Sequence, residues 1–421
     1  MTHSPPALRL QLGTRLLGAL PSLIGVWLAS CAPNEAAPVE GIKIGLLLPF
    51  TGDAAATSSN FERAAIMAAD TANRAGGVHG KSVQLISKDT HSDIARARQS
   101  TNDLINDGVT AIVGTESADI SQAILPSLVA RGVAFVSPLV GSAASSGSNC
   151  PTPWFRLAPS AKALGEALAK LMSARKVERM ALLAADDEFN AALADAAASR
   201  FASLHGTVTA RLTVSSNSHA YGTLLNAIAH ANVEAVLVAL PPVTAALAMN
   251  ESQIISGFHT NWYLSPLLKT DLFVQNVDPS VVEGAQGIAP AIDETQDDYP
   301  KAFADRWRGD LPLEGAYYYY DAVALVAMAL QASSVDDSGK FNYTNLITSI
   351  RNVAGPPGQE TEWSNLSEGL DNLANGVRAY YVGLTGALVM SSCGERLMGT
   401  TSQWTIADGK IQNICSSPPC E

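Results

Sequence analysis

From Gly41 onward the chain alternates short apolar runs with amphipathic helical stretches, and this rhythm limits the fold more than any other feature. Ile42-Lys43-Ile44-Gly45-Leu46-Leu47-Leu48 reads as a strand ending at Pro49. A helix follows over about Asn60 to Ala75, with Phe61, Ala65, Ala68 and Ala72 on one face and Gly76-Gly77 as its stop. Strand Val83 to Ile86, a helix from Asp93, strand Ala111-Ile112-Val113, a helix from about Ser117 and strand Val133 to Val136 continue the series. A Ser/Gly-rich loop, Gly141 to Cys150, interrupts it. The alternation then restarts with helix 160–175, strand Met180 to Ala184, helix 190–205 and strand Val208 to Leu212. Helix 221–231, strand Ala235 to Ala239, a helix near 243–255 and strand Trp262 to Leu264 complete that run. Apolar strands separated by helices are the pattern of parallel sheets covered on both faces. Two such runs predict two doubly wound, Rossmann-like α/β lobes with a cleft between them. After Gly284, helices near 299–308, 315–332 and 342–353 and short strands from Tyr380 suggest that the chain returns.

The 421 residues suffice for two domains, and at 47% hydrophobic and 16% charged they exclude wholesale disorder. The formal charge is −12, and no block of Lys or Arg occurs, which disfavours nucleic acid as a partner.

Residues 1–30 hold Arg9 and Arg15, no acids, and an apolar stretch from Leu16 to Leu28 broken by Pro21 and Ser22. This is the layout of a secretory signal peptide, too short and interrupted for a membrane span. It ends in Leu28-Ala29-Ser30-Cys31, which resembles the bacterial lipoprotein lipobox, and the resemblance implies cleavage before Cys31 and a lipid on its sulfur. Removing residues 1–30 leaves 25 basic and 39 acidic side chains, a charge of −14. The Pro/Ala-rich stretch 31–40 then reads as a tether, and the expected location is the bacterial cell envelope, exported and lipid-anchored. Cys150, Cys393, Cys415 and Cys420 remain, an even number that favours disulfides in an exported protein. Three pairings are open, with a lean toward Cys393–Cys415, which flank a predicted hairpin.

Motifs of nucleophilic, zinc, P-loop or dinucleotide chemistry are absent from the sequence: no Gly-x-Ser-x-Gly, no His-Glu-x-x-His, no Gly-x-Gly-x-x-Gly. The expectation is a protein that is not an enzyme and needs no cofactor. The run Tyr317 to Tyr320 reads as the start of a buried helix.

Several segments, in order, carry a family resemblance. They are Ile42 to Gly52, Asn73-Arg74-Ala75-Gly76-Gly77-Val78-His79-Gly80-Lys81, Val113-Gly114 with Ser117, and Phe135-Val136-Ser137-Pro138. Trp154-Phe155-Arg156-Leu157-Ala158-Pro159-Ser160, Glu283-Gly284, Tyr320-Asp321-Ala322-Val323 and Tyr381 to Gly386 follow. Together they resemble the type I periplasmic-binding-fold proteins, specifically the Leu/Ile/Val-type solute-binding lipoproteins of ABC transporters. The resemblance implies two lobes joined by three crossovers: 41–157 plus 288–380, and 158–287 plus 381–421. It implies a small solute, an amino acid or a relative of one, gripped in the cleft by clamshell closure and passed to permease subunits.

Carried over by position, Ser117 matches the family serine that helps hold a ligand carboxylate, and an N-cap role accounts for it equally well. Ser137-Pro138-Leu139-Val140-Gly141-Ser142 stands where the family has Ser-Pro-Ala-Ala-Thr, so the threonine is missing and Ser142 is its possible substitute. Ser137 and Val140 belong to the same loop. Thr57 occupies an early-loop position that is often aromatic. Phe189 keeps the ring of a family tyrosine and loses its hydroxyl. Ser265 stands where an acid usually pairs with the ligand's ammonium, leaving Asp186, Asp187 and Glu116 as candidates for the missing anion. These departures imply a ligand other than an ordinary amino acid, or none. The alternative is an envelope interaction lipoprotein that uses the same fold as a protein-binding scaffold.

Overall fold

The computed structural model describes residues 41–52, 54–140, 154–215, 221–292, 298–337, 340–397 and 401–415. The signal sequence, Cys31, the tether, Ser142, Cys150 and Cys420 lie outside them.

The first part of the chain forms β1 (Ile42–Leu48), α1 (Ser58–Arg74), β2 (Val83–Asp89), α2 (Ile94–Asn106), β3 (Ala111–Gly114), α3 (Ala118–Arg131), β4 (Ala134–Ser137) and β5 (Trp154–Arg156). The five strands make one parallel sheet in the order β2-β1-β3-β4-β5. Its residues divide strictly by parity. Ile44, Leu46, Val113 and Val136 face one core, while Leu47, Ile112 and Phe135 face another across the sheet. A strand buried on both faces needs apolar residues at every position, which is why these strands read as continuous apolar runs.

The second part comprises α4 (Ala161–Ala174), β6 (Arg179–Ala185), α5 (Glu188–Ser203), β7 (Thr207–Val214), α6 (Gly222–Ala229) and β8 (Ala235–Ala239). It continues through α7 (Pro242–Glu251), β9 (Asn261–Leu264), α8 (Asp271–Asn276), α9 (Pro279–Val282) and β10 (Gln286–Pro290). The same two-faced burial recurs, with Leu183 and Val238 in one core and Leu182 and Leu237 in the other.

The chain then forms α10 (Asp298–Arg306), α11 (Glu314–Ala332), α12 (Tyr343–Val353), β11 (Gln359–Thr361), α13 (Leu366–Ala374), β12 (Ala379–Gly383) and β13 (Gly386–Ala387). It finishes with the hairpin β14 (Thr401–Ala407) and β15 (Lys410–Cys415). α11 is buried from Ala316 to Gln331, so the four tyrosines do open a core helix. The hairpin adds antiparallel to β10 and completes the second sheet, β15-β14-β10-β9-β8-β6-β7.

The segments cross between the two bodies at places that differ from the sequence expectation. Position 288 falls inside β10, whose Ile288 and Ala289 pack in the second body's cores, because β10 pairs with β9 and β14. Position 380 falls inside β12, and Tyr381, Leu384 and Leu388 pack in the first body's core. Helix α13 and strands β5 and β11 were not expected.

The first and last crossing segments are bound to each other. Arg156 N donates to Gly394 O at 2.8 Å, and the Arg156 guanidinium pairs with Glu395 at 2.9 Å. Arg396, 4% exposed, donates to Leu157 O at 3.0 Å and to Ala387 O at 2.9 Å. Beneath them Asp321 of α11 accepts from Tyr381 Oη, Leu384 N, Thr385 N and Thr385 Oγ1 at 2.7–2.9 Å. Gly383 fits above this carboxylate because a Cβ there would lie 2.3 Å from Asp321 Oδ2.

Candidate functional site

In an open α/β sheet, ligands bind beyond the carboxyl ends of the strands, where the winding reverses. In the first sheet that point lies between β1 and β3, and in the second between β6 and β8. Two side-chain contacts span the gap between the bodies at these ends. Gln122 Nε2 on α3 donates to Glu188 Oε2 on α5 at 3.0 Å, and Lys269 Nζ donates to Glu314 Oε1 on α11 at 2.6 Å.

On the first body, Gly114 ends β3 with φ +154°, and a Cβ there would sit 2.3 Å from Leu47 O of β1. Only glycine allows the two strand ends to approach so closely. The chain then turns through Thr115 and Glu116 to Ser117, which caps α3 by accepting from Ile120 N at 3.2 Å. Thr115, fully buried, is held by Ser121 Oγ at 2.8 Å.

Glu116 Oε1 accepts from Thr90 Oγ1 at 2.5 Å, while its other oxygen, Oε2, is buried with no hydrogen-bond partner among the described residues. Burial raises this carboxyl above its ordinary value and the neighbouring Asp89 adds to the rise, against the pull of the Thr90 hydroxyl and of its own backbone amide. Asp89 itself is lowered: burial opposes this, and the Thr51 hydroxyl and the Thr51 and His91 amides outweigh it. Tyr319 of α11 carries a fully buried hydroxyl with no partner among the described residues. Its ring stacks on Phe61 with centroids 5.0 Å apart.

The other expected residues are placed as follows. Ser137 ends β4, fully buried, with no partner for Oγ among the described residues, and Ser265 follows β9 in the same condition. Val140 is 6% exposed and packs with Phe135 and Trp154. Phe189 lies at the start of α5 and packs on the second body's core. Thr57 precedes α1 half-buried and makes no capping hydrogen bond. Asp187 caps α5 through Asn190 N at 3.0 Å and also accepts from Asn190 Nδ2 at 2.8 Å. Asn190 Oδ1 remains buried and unpartnered. Cys393 is disulfide-bonded, and its partner's sulfur lies outside the described side chains. Among the described residues no three His, Cys, Asp or Glu side chains gather to hold a metal ion.

Sequence reasoning missed Thr90, Tyr319, Leu139 and Phe61 as neighbours in this region. Leu139 and Phe61 meet over Gly315, where a Cβ would lie 2.5 Å from the Phe61 ring and 3.2 Å from Leu139. No local motif joins positions so distant in the chain.

Residues 41–364 match the family described as periplasmic binding protein, about three-quarters of the chain. The chain belongs to the periplasmic binding protein family. Its similarity to the Leu/Ile/Val-binding protein homolog 3 of Brucella melitensis is 28% identity over 116 residues, 28% of this chain and 32% of that one. Similarity to the chemotactic substrate-binding protein BasB of Halobacterium salinarum is 29% over 171 residues, 38% of this chain and 41% of the other. The aligned stretches thus span less than half the length of these curated relatives. Solved structures extend the likeness to the whole fold. The leucine-binding protein LivK of Thermotoga maritima superposes with a TM-score of 0.68 at 16% identity, covering 90% of this chain and 99% of that one. A solute-binding protein of R. palustris in complex with benzoate gives 0.65 at 16%, covering 90% and 96%. These identities carry the fold, two doubly wound bodies of periplasmic-binding type.

Proposed function

We propose that this protein is the extracytoplasmic solute-binding lipoprotein of an ABC transporter, taking an amino acid or a related small molecule between its two bodies. The observation that supports this most is the contact of Gln122 with Glu188, which brings together the starts of α3 and α5, the helices that follow the switch-point strands β3 and β6; Ser137 and Ser265, at the ends of β4 and β9, hold buried polar atoms with no partner among the described residues. Buried polar atoms without partners are costly, and a ligand that supplies partners is one resolution of that cost. Relatives named for leucine, isoleucine and valine support the amino-acid class, and the benzoate complex shows the fold serving a carboxylic acid in another protein.

In this reading the Gln122–Glu188 and Lys269–Glu314 contacts are latches of the closed form. Hinge motion of two rigid bodies closes such clefts, and the closed form is what a permease would engage. Cys31 carries the lipid and residues 32–40 tether the body. The bound first and third crossings then serve as the axis about which the bodies swing.

A thermal-shift screen of the purified chain against amino acids, amides, short acids, amines and aromatic acids tests the reading. A ligand at about a hundredfold its Kd adds about 2.7 kcal/mol of stability, which a melting curve resolves. Silence across the panel from a well-folded protein would favour the protein-scaffold alternative.

A further inference from the structure

We propose that Glu116, on the first body, is the residue that takes the solute's charge, and that the solute therefore presents a protonated nitrogen there. The inference rests on the solute-binding reading and assigns a polarity to its site. Glu116 follows β3 directly, at the reversal of winding where ligands of such sheets bind. One of its oxygens is fixed by Thr90, which orients the carboxylate, and the other is buried with no partner among the described residues. A carboxylate oriented through one oxygen and open at the other is shaped to accept a charge-assisted hydrogen bond.

Among the described residues no cation forms an ion pair with Glu116, and the neighbouring charge is another carboxylate, that of Asp89. Arg156 and Lys269 are committed to Glu395 and Glu314.

On the second body the exposed Asp186 directly follows β6, a strand of the second switch point. A solute carboxylate placed at Ser117 would instead sit next to the Glu116 charge. The arrangement thus selects an amine or amidine head and penalises a plain acid, in contrast to a site that clamps a carboxylate on the first body and an ammonium on the second.

The test uses matched probes on the full chain in detergent: 3-methylbutylamine, leucine and 4-methylpentanoate, then benzylamine, phenylalanine and benzoate, with putrescine and benzamidine. Melting shifts identify binders, and calorimetry measures their affinity in wild type and Glu116→Gln. The expected result is that amine-bearing probes bind, that both plain acids do not, and that Glu116→Gln weakens binding by about tenfold or more. The ligand-free melting temperature of the variant, at or above wild type, shows that it folds. Binding by the plain acids, or binding that survives Glu116→Gln within about twofold, overturns the assignment and leaves the solute-binding reading intact. If no probe of either charge binds the folded protein, both fall together.

Discussion

A carboxylate with one oxygen buried and unpaired is a liability to a protein that holds nothing, and Glu116 is such a group. Burial, chiefly, places its folded-state pKa above the ordinary 4.5, with Asp89 at the end of β2 adding to the rise and Thr90 opposing it. Since the folded value exceeds the unfolded one, the group's contribution to stability is intact below the unfolded pKa and is lost as pH climbs through the folded pKa. Ligand-free Glu116→Gln should therefore melt above wild type at pH 7, and the two should converge as pH falls toward about 4. A variant that melts several degrees lower at pH 7 would show the carboxylate to be structurally satisfied. Asp321 is the opposite case, a buried carboxyl with four donors. Asp321→Asn turns one acceptor into a donor facing donors, and chemical denaturation should show a loss of about 2–4 kcal/mol.

At the scale of elements, the contacts between α3 and α5 and between the start of α11 and Lys269 hold the two bodies face to face. Each is partly exposed, so each is worth about 0.2–1 kcal/mol. Lys269→Ala should weaken ligand affinity by no more than about fivefold while leaving the melting temperature of the empty protein nearly unchanged. An unchanged affinity would remove Lys269–Glu314 from the closing mechanism. Most elements were legible because a two-faced parallel strand such as Leu182-Leu183 or Ile112-Val113 admits no polar position. Helix α1 was equally plain, with its apolar stripe and Gly76-Gly77 stop. Strand β5 and helix α13 were not. Trp154-Phe155-Arg156 is a strand only because Ser137, Val136 and Phe135 lie alongside it. Position 288 misled because it was carried over from the resemblance, whereas β10 belongs to the second sheet, its far edge completed by β14 more than a hundred residues later. The site was legible as loops but not as chemistry. That Ser117 caps α3 followed from its place, whereas the hydrogen bond that fixes Glu116 Oε1 comes from Thr90, which no spacing connects to it.

At the scale of the molecule, the reading makes two claims that can be separated. If Cys31 bears lipid, metabolic labelling with a radiolabelled fatty acid should mark the mature chain, and Cys31→Ala should abolish the label and leave the chain soluble. If the bodies close on a solute, small-angle scattering should show a smaller radius of gyration with a saturating ligand than without. An identical profile would mean that the closed form already dominates in the empty protein. The order of strands carries a further consequence, for how the chain comes to be folded at all. The first body lacks its central helix, α11, until residue 332 has been made, and the second lacks an inner strand until β14, whose Trp404 is wholly buried against Gly287. Pairings between segments so far apart must wait for nearly the whole chain and are slow to form. A nascent chain of this topology therefore has no finished domain to jam a narrow passage, and it stays threadable until its last hairpin arrives.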